Sequence, residues 1–367
     1  MKTVRRWIFR EVLVGVGFAT LAFIALFFFF DMVDEMRRVA RLGAQVYPVS
    51  HALLYVAMRQ AQHVYELLPI TVLIGTIFVM ARLAQSSEFT ILRTSGLGPG
   101  RALGTLLLLG LGFTVLTFVV GDYVAPATER AAQLVQSSSS GPLSSGATGA
   151  WLKERQGEHS LAVNVRSITA EGHMRGIQVF EFDGQGRLAQ TLKAAEGDVA
   201  SDHWQLKQVT RTTLVPAGGD QLRVQRSQDA QWDWPSRISA GMVAAAVVKP
   251  DKMATIELYG FIRHLQANGQ AAQRYEIEFW RKVFYPLSCL VMVVLALPFA
   301  YLHFRSGGIA GYVFGGVMAG ISFFLLNNVF GFAGNLQNWS PWLTAAAPGL
   351  IYTALSLAAF GWLVLRR

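Results

Sequence analysis

Cysteine is almost missing from this sequence, with Cys289 the only one among 367 residues. A single thiol excludes an intrachain disulfide and a cysteine-based metal cluster, and its place inside an apolar run makes it a small buried residue. Charge is scarce too, at 15% of residues against 52% hydrophobic, which is too little for a soluble protein of this length. The phosphate-cradling pattern G-x-x-x-x-G-K-[ST] is absent, and Gly96-Leu97-Gly98-Pro99-Gly100 reads as a helix-start spacer rather than a dinucleotide fingerprint. No His-Glu-x-x-His occurs, and the seven histidines (51, 63, 159, 173, 203, 264 and 303) are dispersed. No catalytic residue, metal site or cofactor is therefore expected.

What is present is a set of long apolar runs, which can satisfy their backbone in lipid only as helices. The first runs from Trp7 to Phe30 behind Lys2, Arg5, Arg6 and Arg10. It exceeds the roughly 7 to 15 residues of a signal-peptide core and ends in Phe27-Phe28-Phe29-Phe30 and Asp31 rather than a small-residue cleavage site, so it is expected to stay as a membrane helix. Others are expected at about Ala52 to Leu83, with a kink at Pro69, and at Ala102 to Val124, Val283 to Leu302, Ile309 to Phe332 and Trp342 to Leu365. Ser137 to Ser145 reads as a linker.

From Ala150 to about Pro250 the texture changes. Segments such as Leu161 to Val165, Ile177 to Phe182 and Trp204 to Val209 alternate like strands, with turn signals at Asp183-Gly184, Gly186 and Gly218-Gly219. The expected fold is a six-helix membrane protein with an inserted all-β domain, sandwich or jellyroll-like. The expected division is residues 1–136 (helices one to three), 137–252 (β domain) and 253–367 (an amphipathic elbow at 255–267 lying on the membrane surface, then helices four to six).

The formal charge of +9 is uneven, because residues 137–250 hold 12 Lys and Arg against 11 Asp and Glu. The excess sits at the ends of membrane helices, where anionic headgroups rather than nucleic acid are the expected partner. The positive-inside rule places both termini, Arg82, Arg93, Arg101 and Arg305 in the cytoplasm. The β domain is then periplasmic in a Gram-negative cell.

That orientation leaves Arg37, Arg38 and Arg41 on the side where positive charge is avoided. They either snorkel and pair with Asp31, Asp34 and Glu35, or form a phosphate-gripping rim above an apolar pocket containing Phe27 and Phe30. The second reading implies a phosphorylated lipid as cargo. A second constellation, Gln85 to Gly96, describes a short capped helix. Glu88, Phe89, Leu92 and Arg93 suit docking into a cytoplasmic partner, and an ordinary loop is the alternative. Two other functions stay open: an intramembrane lipid-modifying enzyme built on Asp31, Asp34 and Glu35, and a structural anchor.

In this order of elements, and in Leu83-Ala84-Gln85-Ser86-Ser87-Glu88, Ser95-Gly96, Val124-Ala125-Pro126, Trp151-Leu152-Lys153, Tyr259 to Leu265, Trp280 to Pro286 and Asn328-Val329-Phe330-Gly331, the chain resembles over nearly its full length the LptF/LptG permease family. The resemblance implies a transport subunit rather than an enzyme, part of an ABC transporter that exports lipopolysaccharide from the inner membrane. Implied partners are the LptB ATPase in two copies, a paralogue, LptF, completing the cavity, and LptC, which passes lipopolysaccharide on to LptA. Glu88 falls on the family's ATPase-contacting acid, and Arg37 and Arg38 on its basic positions after helix one. Asp31 stands where some relatives carry lysine, and Gln133 and Gln136 where some carry arginine, which shifts the expected phosphate contacts toward Arg41 and Arg130.

Overall fold

A computed structural model describes residues 2–86, 88, 91, 94, 98–140, 149–168, 172–200, 203–216, 222–247, 249–301 and 309–362. The chain divides into two compact units, one of Met1–Arg41, Ala52–Glu129 and Glu276–Arg367, the other of Leu42–His51 and Arg130–Tyr275.

Among the described residues, six helices are long and apolar enough to cross a membrane. The first two are α1 (Lys2–Leu42) and α2 (Val49–Gln85). The third span joins α3 (Pro99–Val119), a π-helical turn (Val120–Val124) and α4 (Ala125–Ser140). The fourth joins α7 (Gln273–Phe284), a 3-10 turn and α8 (Ser288–Ala296), and the last two are α9 (Ile309–Leu336) and α10 (Pro341–Phe360). Their common core holds Val12 and Val16 of α1, Val72, Leu73 and Ile77 of α2, Phe113 of α3, Met292 of α8 and Phe323 of α9.

Several spans outrun the apolar runs that announced them. Beyond Asp31, α1 continues for another three turns because its charges pair along the helix surface at i,i+3. The fourth span starts about ten residues before the expected Val283, since α7 carries Glu278, Arg281 and Lys282 on a helix that contains no apolar run. Ser137 to Ser140 belong to α4 rather than to a linker. Pro69 is accommodated within one unbroken α2, and the neighbouring Glu66 carbonyl accepts the Tyr285 hydroxyl at 2.5 Å.

The other unit carries a six-stranded antiparallel sheet: β1 (Ala150–Gln156), β2 (His159–Ile168), β3 (His173–Phe182), β4 (Leu188–Val199), β5 (His203–Pro216) and β6 (Leu222–Pro235). The strands pair in chain order, as connections this short require. Alternation fixes the register, with Val163 opposite Val179 and Val179 opposite Leu192, all buried. Asp183 shapes the β3–β4 turn by accepting the backbone N–H groups of Gln185 and Arg187, each at 2.9 Å. The Arg187 N–H is the main reason its carboxyl is held below the ordinary carboxylate range. Gly218-Gly219 lies outside the described residues.

The meander rolls until its first strand reaches the chain leaving its last. Gln156 donates to the Pro235 carbonyl at 2.9 Å, and the buried Glu154 accepts the Ser236 hydroxyl and the Arg237 N–H, each at 2.8 Å. The inserted all-β domain is thus a rolled meander of one sheet, not two sheets cross-connected. α5 (Ala240–Val247) and α6 (Thr255–Ala267) follow. The elbow helix α6 buries Leu258, Phe261, Ile262 and Leu265 inside the protein and exposes Ile256 and Tyr259.

Candidate functional site

The site begins with the way α1 and α2 cross. Gly75 lies against the α1 backbone so closely that a Cβ there would stand 2.5 Å from the Val16 nitrogen, the close approach that small residues permit in membrane helices. Toward one end Glu11 pairs with Arg82; in the middle Thr20 donates to the Thr71 hydroxyl at 2.9 Å. Toward the other end Asp31 meets His63 at 2.8 Å, accepts Gln60 at 3.4 Å and has Arg59 at 4.0 Å. Glu11 and Asp31 are twenty residues apart on one helix, about 30 Å at the α-helical rise, which matches a bilayer's hydrocarbon core.

The two ionic pairs bound the apolar stretch of α1, and α1 projects beyond Asp31 by about 16 Å, eleven residues at the helical rise. Arg37, Arg38 and Arg41 all lie on that projection. Arg37 pairs with Asp34 at 3.2 Å, both side chains 74% exposed. Arg38 pairs with the largely buried Glu35 at 3.2 Å, and Arg41 donates to the Arg37 carbonyl at 3.4 Å. The exposed Arg37–Asp34 pair holds weakly, whereas Arg38 pairs with a carboxylate that is itself buried.

The expected pocket phenylalanines part company. Phe27 turns toward α2, its ring 4.8 Å from that of His63, whereas Phe30 is 57% exposed and meets Phe29 edge-on at 5.7 Å. Arg130 belongs to the other unit, where it reaches Glu257 at 2.6 Å. Arg59 and His63 are rim residues that the sequence reading passed over. Their signal was an i,i+4 pair of basic side chains on the polar first half of α2, hidden by the apolar run that follows.

At the other constellation, Glu88 is helical and exposed, and Thr94 donates to the Ile91 carbonyl at 2.9 Å. Ile91, at 62% exposure, adds an apolar contact that the sequence reading did not name. Phe89, Leu92 and Arg93 lie outside the described residues.

The α1 span itself has little cover. Only 11% of its most apolar window is buried, against 78% for α2. Phe18, Leu21, Leu26, Phe29 and Phe30 are all at least half exposed. The arrangement offers an apolar face long enough for acyl chains and, above it, cations suited to phosphate.

The family model described as "Lipopolysaccharide export system permease LptF/LptG" matches residues 6–365. The chain is 24% identical to "Lipopolysaccharide export system permease protein LptG" of Escherichia coli (strain K12) over 366 residues, covering 99% of this chain and 98% of that protein. It is 26% identical to the protein of the same name from Haemophilus influenzae over 372 residues, covering 100% and 99%.

Proposed function

Because this chain belongs to the LptF/LptG family, the permeases of the lipopolysaccharide export system and multi-pass membrane proteins that carry cargo rather than catalyse, we propose that it takes the LptG place in the inner-membrane transporter. In this reading both termini are cytoplasmic and the β domain is periplasmic. The LptF paralogue completes the cavity, and an LptB dimer docks at the helical turn around Glu88, through Phe89, Leu92 and Arg93 as well as Ile91. Lipopolysaccharide enters laterally from the outer leaflet between α1 and the fifth helix of the paralogue. Its acyl chains lie along the exposed α1 face, and its phosphates meet Arg37, Arg38 and Arg41, with Arg130 as a further cationic contact. Collapse of the cavity on ATP turnover expels the lipid to LptC and onward to LptA.

One observation carries the reading: α1 is the least covered span, and it projects a cationic rim beyond the membrane face. Placing a photocrosslinker at successive positions along residues 23–41 tests it. Lipopolysaccharide adducts are expected on the exposed α1 face and are expected to fall when ATP is hydrolysed; adducts that are absent, or indifferent to turnover, defeat the site. Charge reversal (Arg37→Glu with Arg38→Glu) separates transport from anchoring, since an anchor keeps exporting.

A further inference from the structure

Three sequence motifs contribute nothing to the rim, yet they meet at one polar joint inside the membrane unit. They are Val124-Ala125-Pro126, Trp280 to Pro286 and Asn328 to Gly331. Pro126 starts the joint, because it has no N–H to give the preceding turn. The Ala125 N–H bonds the Val120 carbonyl, five residues back, and the helix widens into its π turn. In that turn the donor due to the Gly121 carbonyl is the missing Pro126 N–H. Lys282, only 5% exposed, supplies one instead, its ammonium donating to Gly121 O at 3.1 Å.

Neighbours lock this bond in place. The Tyr65 ring of α2 lies over Gly121 so closely that a Cβ there would stand 2.2 Å from a ring carbon. The Lys282 ammonium is 5.8 Å from the centroid of the same ring. Tyr65 also meets the Tyr285 ring at 5.2 Å. Next to Lys282, Arg281 pairs with Glu278 at 3.2 Å and donates to Asn328 of α9 at 3.4 Å. One turn of α7 thus fastens α2, the third span and α9.

A charged side chain buried as deeply as Lys282 is costly to desolvate and is kept only where it is paired or hydrogen-bonded. A purely structural post could be filled by Met or Leu, with an ordinary residue in place of Pro126. We propose that Lys282 is a positioning residue for transport: by holding the carbonyl that Pro126 leaves open, it ties the fourth and fifth spans to the second and third, so that a movement of one pair is delivered to the other. The inference rests on the export reading above and assigns Lys282 no contact with lipid.

The test uses the complete transporter, this chain with its paralogue and ATPase, reconstituted in liposomes and scored for lipopolysaccharide released per ATP hydrolysed. Lys282→Met is expected to lower that ratio about tenfold, the scale of a coupling lost at one joint, with the ATPase rate and melting temperature near wild type. Lys282→Arg, which still donates, is expected to recover most of it. The double variant Lys282→Met/Pro126→Ala returns a backbone donor to the turn, and it carries the test if Lys282→Met alone does not accumulate. Its ratio is expected to stay low. A wild-type ratio in Lys282→Met overturns the inference, and so does full recovery in the double variant, because Lys282 would then merely fill a vacant hydrogen bond. A wild-type transporter that releases no lipopolysaccharide defeats the export reading itself, before any variant is compared.

Discussion

Helices α1 and α2 cross the same membrane side by side, at similar length and hydropathy, and are used in opposite ways. The second is the post around which its unit packs, with 78% of its most apolar window buried, while the first leaves nearly all of its window uncovered at 11%. Hydropathy registers only that a segment prefers lipid to water. Whether it then faces lipid, protein or cargo is decided by shape and by the few polar groups that need partners. The contact between these helices combines Gly75 against Val16, the buried Val12 and Val16 side chains, one Thr–Thr bond and an ionic clasp toward each end. One edge of α1 is anchored in the core by Ile8, Val12 and Val16, while Leu13, Phe18 and Leu21 stay exposed.

The contrast can be broken most severely at the crossing itself. Gly75→Leu places a side chain where the α1 backbone lies, and the chain is expected to lose its folded state in detergent, a cost above about 3 kcal/mol from overpacking that no rotamer relieves. Fluorescence-detected gel filtration would show the monodisperse peak disappear. A paired truncation sharpens the comparison. Leu73→Ala, in the α2 core, is expected to destabilise the isolated chain by about 2 to 5 kcal/mol, whereas Phe18→Ala, exposed on α1, should change it by less than about 0.5 kcal/mol. Equal losses in a thermal melt would mean that the two helices are not used differently.

At the clasp around Asp31, the substitution Asp31→Asn removes the charge facing His63 and Arg59 while keeping a side chain that Gln60 can bond. The expected loss is about 1 kcal/mol, and a cysteine at Val33 should be alkylated faster in the variant. The smallest effect lies in the other unit. Asp198 is held below the ordinary carboxylate range, chiefly by its hydrogen bond from His173, with Lys207 adding at 3.3 Å. A depressed carboxyl stabilises the fold above its unfolded pKa, and that contribution is lost as pH falls through the depressed folded value. Discounted for exposure it is about 0.5 kcal/mol, so Asp198→Asn should lower the melting temperature slightly at neutral pH and leave it unchanged in strong acid.

Elements that depend on composition alone were legible in the sequence. Six apolar runs became six spans, and the alternating segments at Leu161, Ile177 and Trp204 fall inside β2, β3 and β5. Features that depend on polar groups finding each other across the fold were not. The projection of α1 stayed hidden because Asp31 ends an apolar run without ending a helix, and α7 stayed hidden because it has no apolar run and Lys282 and Arg281 find Gly121 and Asn328 far along the chain. At the rim, Arg37, Arg38 and Arg41 could be named from topology. Arg59 and His63 could not, because their relevance lies in Asp31, some thirty residues away. Pro126 and Lys282 were visible only as separate motif letters, since nothing in sequence links a missing N–H to an ammonium far downstream.

The roll of the sheet has a consequence of its own. Five of its strand junctions are backbone ladders, but among the described residues β1 meets the end of β6 and the chain after it through side chains, Gln156 bonding the Pro235 carbonyl and Glu154 the Ser236 hydroxyl and the Arg237 N–H. A seam closed that way unfastens by rotamer changes and leaves every ladder bond in place. Parting it asks no strand to leave its neighbour.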